Sequence, residues 1–156
     1  MSAFPRFPAR VQPASREALS EGLLPDLLGY RLRRAQVAVF NDFVRTMTEL
    51  QLTPGQFGTL VLVDANPGLS QTALGGLLGI DRSTVVPLID RLEGRGLLRR
   101  EASPTDRRTH ALILTDAGYS LLAEAVARVR AHENRIASSL SPQERTQLIE
   151  LLAQIG

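Results

Sequence analysis

Residues 69–98 read LSQTALGGLLGIDRSTVVPLIDRLEGRGLL, and the order of caps, apolar positions and glycines in this stretch decides the fold. Ser70 has the chemistry of a helix N-cap, Leu74, Leu77 and Leu78 fall on one side of the segment it opens, and Gly79 ends it. Asp81 caps a second helix from Arg82 to about Glu93, with Val85, Leu88, Ile89 and Leu92 on the inner face. Gly96 supplies the left-handed residue after its end. Two short helices joined by the turn Gly79 to Asp81 form a helix-turn-helix pattern. Pro87 breaks a helix rule, since an interior proline removes one hydrogen bond and crowds the preceding turn at a cost of ~3 kcal/mol. Facing solvent, that defect predicts a small irregularity rather than a helix end.

Downstream, Leu97 to Glu101 and Thr109 to Leu114 are strand-like, and Ser103-Pro104-Thr105-Asp106-Arg107-Arg108 between them has hairpin-loop chemistry. The pair predicts a β-wing directly after the second helix. Upstream, Thr53-Pro54-Gly55-Gln56 combines an N-cap, a proline at the first helical position and a capping glutamine, and Asn66-Pro67-Gly68 closes the helix so opened. Before it, Leu24, Leu28, Leu32, Ala35, Val39, Phe43, Met47 and Leu50 alternate steps of three and four, predicting one amphipathic helix ~40 Å long. Thr115-Asp116 opens a long fifth helix, and Ser141-Pro142-Gln143-Glu144 opens a sixth through a capping box.

The expected fold class is therefore mainly α with a small β-wing. Residues 1–20, with Pro5, Pro8, Pro13 and three arginines, read as a flexible basic arm. Residues 21–52 read as an N-terminal dimerisation helix, 53–114 as the winged helix-turn-helix unit, and 115–156 as C-terminal dimerisation helices. Apolar-faced helices at both ends of a chain need a shared partner surface, and a two-fold homodimer is the simplest one.

Composition narrows function. The 156 residues suit one domain, and 44% hydrophobic with 22% charged residues excludes a disordered chain. No apolar run reaches the ~18–20 residues of a spanning helix, no signal-peptide pattern opens the chain, and a cytoplasmic address is expected. The absence of cysteine excludes disulfides, zinc-thiolate sites and thiol redox sensing. All 18 basic residues are arginine, whose planar fork suits phosphate and carboxylate; a GC-rich genome accounts for the total, so placement carries the argument. Between Arg82 and Arg108 there are seven arginines against four acids. Two isolated histidines and the lack of a phosphate-cradling loop argue against an enzyme, and no cofactor is expected.

In this order, Leu52-Thr53-Pro54-Gly55-Gln56-Phe57, Leu69-Ser70-Gln71, Ile80-Asp81-Arg82-Ser83-Thr84-Val85, Asp90-Arg91-Leu92-Glu93, Gly96-Leu97-Leu98, Asp106-Arg107-Arg108 and Leu114-Thr115-Asp116-Ala117-Gly118 closely resemble MarR-type transcriptional regulators. The resemblance runs from about residue 24 to 155. It implies a homodimer of winged-helix subunits on a palindromic operator, repressing nearby genes until a small anionic aromatic molecule binds. It further implies that Asp106 pairs with an arginine to hold the wing, that Arg108 enters the minor groove, and that Arg82, Ser83, Thr84, Pro87 and Arg91 face the major groove or its phosphates.

The physical reading agrees. A helix N-terminus favours phosphate or a base acceptor, arginine takes guanine O6 and N7 together, and Ser or Thr hydroxyls bond either phosphate or base. Ser70, Gln71, Arg95 and Arg107 complete the candidate DNA contacts, whereas Arg100 is assigned to an intramolecular pair with nearby acids.

In the resembling family, effectors bind in a cleft formed by the first, second and fifth helices and the winged unit. This makes Tyr30, Arg33, Arg34, Phe40 and Phe57 the ligand candidates, with core packing as the alternative for the phenylalanines and solvation for the arginines. The stretch Gly29 to Phe40 is similar to a subgroup linked with catabolism of aromatic acids or aromatic acyl-CoA esters. Two other functions compatible with the residues are a winged-helix protein-interaction module and a DNA-binding regulator blind to ligand.

Overall fold

The computed structural model describes residues 19–102 and 110–155. They belong to two compact units, divided between Gln36 and Val37. The first holds a 3-10 turn, Leu24–Asp26, and the start of helix α1 (Leu28–Met47), which continues into the second. The second unit then holds α2 (Pro54–Ala65), α3 (Gln71–Leu78), α4 (Arg82–Gly94), β1 (Leu98–Ala102), β2 (His110–Leu114), α5 (Asp116–Ile136) and α6 (Pro142–Leu152).

One expectation is corrected here. The continuous helix read from Leu24 starts instead at Leu28, because Leu27 is extended (φ −90°, ψ 124°). The Pro25 carbonyl, which a continuous helix would give to a backbone N–H, accepts instead from Arg31 Nε at 2.7 Å. The local start signals elsewhere held. Thr53 and Gln56 close a reciprocal capping box on α2, as Ser141 and Glu144 do on α6. Ser70 accepts from the Ala73 N–H, Gly79 ends α3 at φ +65°, and Gly96 follows α4 at φ +68°. Helix α4 runs unbroken through Pro87, which is exposed together with Ser83.

The core of the second unit gathers Met47 and Leu50 with Leu60 of α2, Leu74 of α3, Ile89 and Leu92 of α4, Leu112 of β2 and Leu122 of α5. Strands β1 and β2 pair antiparallel from Leu98 opposite Leu114 to Ala102 opposite His110. The Leu112 N–H donates to the Leu69 carbonyl (2.9 Å) and Ser70 bridges Ala111, so the entry to α3 is stitched to β2. At the other end of the sheet, Thr115 Oγ1 donates to the Gly96 carbonyl (2.6 Å) and accepts from the Gly118 N–H (3.1 Å). A β-carbon on Gly118 would stand 1.9 Å from the Leu97 carbonyl oxygen, so only glycine lets α5 begin this close to the turn after α4. The Leu-Thr-x-x-Gly motif is thus the joint between the winged unit and α5. Among the described residues no helix is long and apolar enough to cross a membrane.

Candidate nucleic-acid interface

The start of α4 is organised by Asp81. Its carboxylate accepts from Ser83 Oγ at 2.7 Å and from the Thr84 N–H at 2.9 Å, which holds the carboxyl below its ordinary range, chiefly through the Ser83 hydroxyl. The Ser83 proton is committed to Asp81, and the two lone pairs of its oxygen leave Ser83 an acceptor for a base amino group. Val85, Ile89 and Leu92 face the core, so Ser83, Thr84, Pro87 and Arg91 lie outward, all exposed along with Arg82. Arg82 and Arg91 make no ion pair among the described residues. Two unpaired guanidinium groups on the outer side of a helix are suited to phosphate or guanine.

Other arginines have work inside the protein. Arg95, expected as a phosphate contact, donates to the carbonyls of Gln51 (2.8 Å) and Leu50 (2.9 Å). It grips a turn in which Gln51 adopts φ +51°, a conformation rare for a side-chain-bearing residue. Arg100 pairs with Asp90 and Glu93, as expected, and Arg99 with Glu101 at 2.6 Å. Asp106, Arg107 and Arg108 lie outside the described residues.

Beside the first turn of α4 runs a groove of about 570 Å³ whose polar rim is Ser70, Gln71, Thr72, Arg82 and His110. Its floor includes Gly75, where a β-carbon would come within 3.0 Å of the Ile80 carbonyl oxygen. Sequence reasoning placed Ser70, Gln71 and Arg82 at the interface but passed over His110. Strand alternation alone carried no sign that the first residue of β2 would reach the entry of α3.

Of the ligand candidates, those in the first unit form a cluster. The Tyr30 hydroxyl and Arg34 both donate to Glu21, at 2.9 and 2.8 Å, and the Arg34 guanidinium carbon is 5.8 Å from the Tyr30 ring centre. Arg33 is exposed and makes no ion pair among the described residues. In the second unit Phe57 is half-buried with its ring 6.0 Å from that of Phe43, while Phe40 is 45% exposed and so is not a core residue in the single chain.

A second polar centre had no sequence signal. Asp42 of α1 accepts from Arg135 of α5 at 2.9 Å and lies 2.7 Å from Nδ1 of buried His132. The His132 hydrogen bond, then that of Arg135, lowers the Asp42 carboxyl to about 2.

Comparison with known proteins places this arrangement. The MarR family pattern matches residues 52–110. A protein of Thauera aromatica, named for transcriptional regulation of the hcr operon, is 40% identical over 149 residues, spanning 94% of this chain and 90% of its own. The structure of the transcriptional repressor CouR bound to a 23-mer DNA duplex superposes with a TM-score of 0.84 at 48% identity, covering 88% of this chain and 97% of CouR. CouR bound to p-coumaroyl-CoA gives 0.81 at 46% identity, covering 88% and 96%. The fold is thus shared with known regulators at 40–48% identity, and the chain belongs to the MarR family of transcriptional regulators.

Proposed function

We propose that this protein is a homodimeric repressor that binds a palindromic operator in the cytoplasm and leaves it when an aromatic acyl-CoA ester binds. One observation carries the reading: CouR, 46–48% identical across 88% of this chain, is known both on a DNA duplex and with p-coumaroyl-CoA. The exposed face of α4 supports the DNA half. Thr84, Pro87 and Arg91 fall at helical spacing on one side, with Arg82 and Ser83 at its leading end, a layout fit for the major groove. Residues 53–114 would form the reading unit, with Arg108 of the wing entering the adjacent minor groove, Arg107 as a further phosphate or groove contact and Asp106 holding the wing. Residues 21–52 and 115–156 would supply the dimer interface.

The ligand half rests on cations and rings. In the first unit, Arg33, Arg34 and Tyr30 are candidate contacts for a carboxylate or the phosphates of coenzyme A. In the second, Phe40 and Phe57 are candidate stacking surfaces. Release follows from differential affinity: an effector that prefers a dimer whose reading helices are not ~34 Å apart shifts the population away from the DNA-bound form.

The test is binding of the purified protein to the DNA flanking its own gene, titrated with p-coumaroyl-CoA, p-coumarate and free coenzyme A. Salt-steep specific binding that the thioester alone relieves is the expected result. Specific binding indifferent to all three makes the protein a ligand-blind regulator. An Arg107→Glu, Arg108→Glu double variant should lose the DNA while keeping its oligomeric state; if it binds with unchanged salt slope, the wing assignment fails and the protein-contact reading gains.

A further inference from the structure

We infer that His110 is a proton-dependent phosphate contact, so that operator binding by this protein takes up a proton and strengthens as the pH falls from 8 to 6. The inference rests on the DNA-binding reading above and adds a residue and a pH response to it.

The groove beside α4 is the basis. Two of its five rim residues, Arg82 and His110, can carry positive charge, and no carboxylate lines it among the described residues. Ser70 Oγ accepts from the Ala73 N–H, which leaves its hydroxyl proton to donate outward, and Gln71 and Thr72 add further donors. Cations and neutral donors without an acid select an anion, and the anion that lies against the first turn of a reading helix is a backbone phosphate. The position of His110 is held by backbone on both sides. Ala102 pairs with it across the sheet, and the Leu69 and Ser70 backbone is stitched to Leu112 and Ala111.

The charged groups around His110 leave room for this role. From α4 come Arg82 and Asp81, the latter already turned onto Ser83 and Thr84. On β1 the charged residue on the same face of the sheet as His110 is Arg100, whose guanidinium is held by Asp90 and Glu93 of α4, while Arg99 and Glu101 lie on the other face and pair with each other; α3 contributes no titratable group. A phosphate seated in the groove offsets the repulsion between Arg82 and a protonated imidazole and favours the charged form. Because the charged form is favoured in the complex, affinity is highest at low pH and declines as the imidazole loses its proton. The chain's other histidine, His132, is buried against Asp42 and does not line the groove.

The experiment measures the salt dependence of binding to the duplex flanking the gene, at pH 6 and pH 8, for wild type, His110→Gln and His110→Arg. One added phosphate contact steepens the slope of log K against log salt by about 0.9. Wild type should therefore be steeper at pH 6 than at pH 8 by up to about that amount. The glutamine variant should show the shallow slope at both values and the arginine variant the steep one. A wild-type slope that ignores pH overturns the inference while leaving the regulator intact, and so does a pH effect that survives His110→Gln. Failure of wild type to bind the duplex at either pH overturns the regulator reading, and this inference with it.

Discussion

Nδ1 of His132 and Oδ2 of Asp42 lie 2.7 Å apart across ninety residues of sequence, and this contact ties the second half of α1 to α5. The His132 ring also meets Phe43 edge-on at 5.6 Å, and Phe43 in turn packs on Phe57. A polar pair and an aromatic row together fix how the two long helices meet.

Asp42 gives this contact a pH signature. Its carboxyl is held at about 2, against ~3.9 for an unperturbed aspartate, first by His132 and then by Arg135. A depressed carboxylate contributes stability that is present above the unfolded value and lost as pH falls through the folded one. Between pH ~4 and 2 the thermal midpoint of wild type should therefore fall more steeply than that of Asp42→Asn, whose amide has no charge to lose. Thermal melts by circular dichroism across that window check this, and parallel curves would refute it.

Gly118 makes a steric prediction. With a β-carbon 1.9 Å from the Leu97 carbonyl oxygen, Gly118→Ala must push α5 away from the turn after α4, at a cost of about 1–3 kcal/mol or more. Gly76→Ala is the matched control, because nothing lies within 4 Å of its β-carbon and alanine is the better helix former by up to about 1 kcal/mol. Urea unfolding should show opposite signs for the two variants.

These two glycines also mark how far the sequence could be read. Caps and stops are local, so Thr53 with Gln56, Ser70, Asp81, Gly96 and Ser141 with Glu144 could be placed from spacing alone. The first helix was overrun because Leu24 and Leu28 keep the apolar period, while the break at Leu27 depends on how Arg31 satisfies Pro25. The long-range contacts of Arg95 with Gln51 and of His132 with Asp42 join residues 44 and 90 positions apart, which no periodicity encodes. At the interface, the outward row of α4 was legible because its inner row is a plain apolar stripe. His110 was not, because its place depends on the pairing of β2 with the entry to α3.

Arg95 and Arg91, four residues apart, should separate cleanly. Arg95→Ala strips two carbonyls of their donor and should cost about 1–3 kcal/mol in stability, with the salt slope of DNA binding unchanged. Arg91→Ala removes an exposed side chain with no ion pair among the described residues and should leave the unfolding midpoint in place. If Arg91 meets a phosphate, the slope should lose about 0.9; if it reads a base, affinity should drop by about 1–3 kcal/mol at one operator position. Denaturant titration and fluorescence anisotropy on the same preparations decide between these outcomes.

Helix α6 carries the last prediction. Leu148, Ile149 and Leu152 are 44%, 60% and 42% exposed in the single chain, and no residue of α6 is buried. A capped helix whose leucines contribute nothing to its own core gains its stability from a second surface, and in a homodimer that surface is supplied by another copy. Ile149→Glu should therefore leave the subunit's core untouched while placing a charge in the shared face. The expected result is a monomer by sedimentation with near-normal helical content, and operator affinity reduced by at least tenfold because one reading helix must bind without its partner. A variant that stays dimeric and binds normally would move the interface off α6.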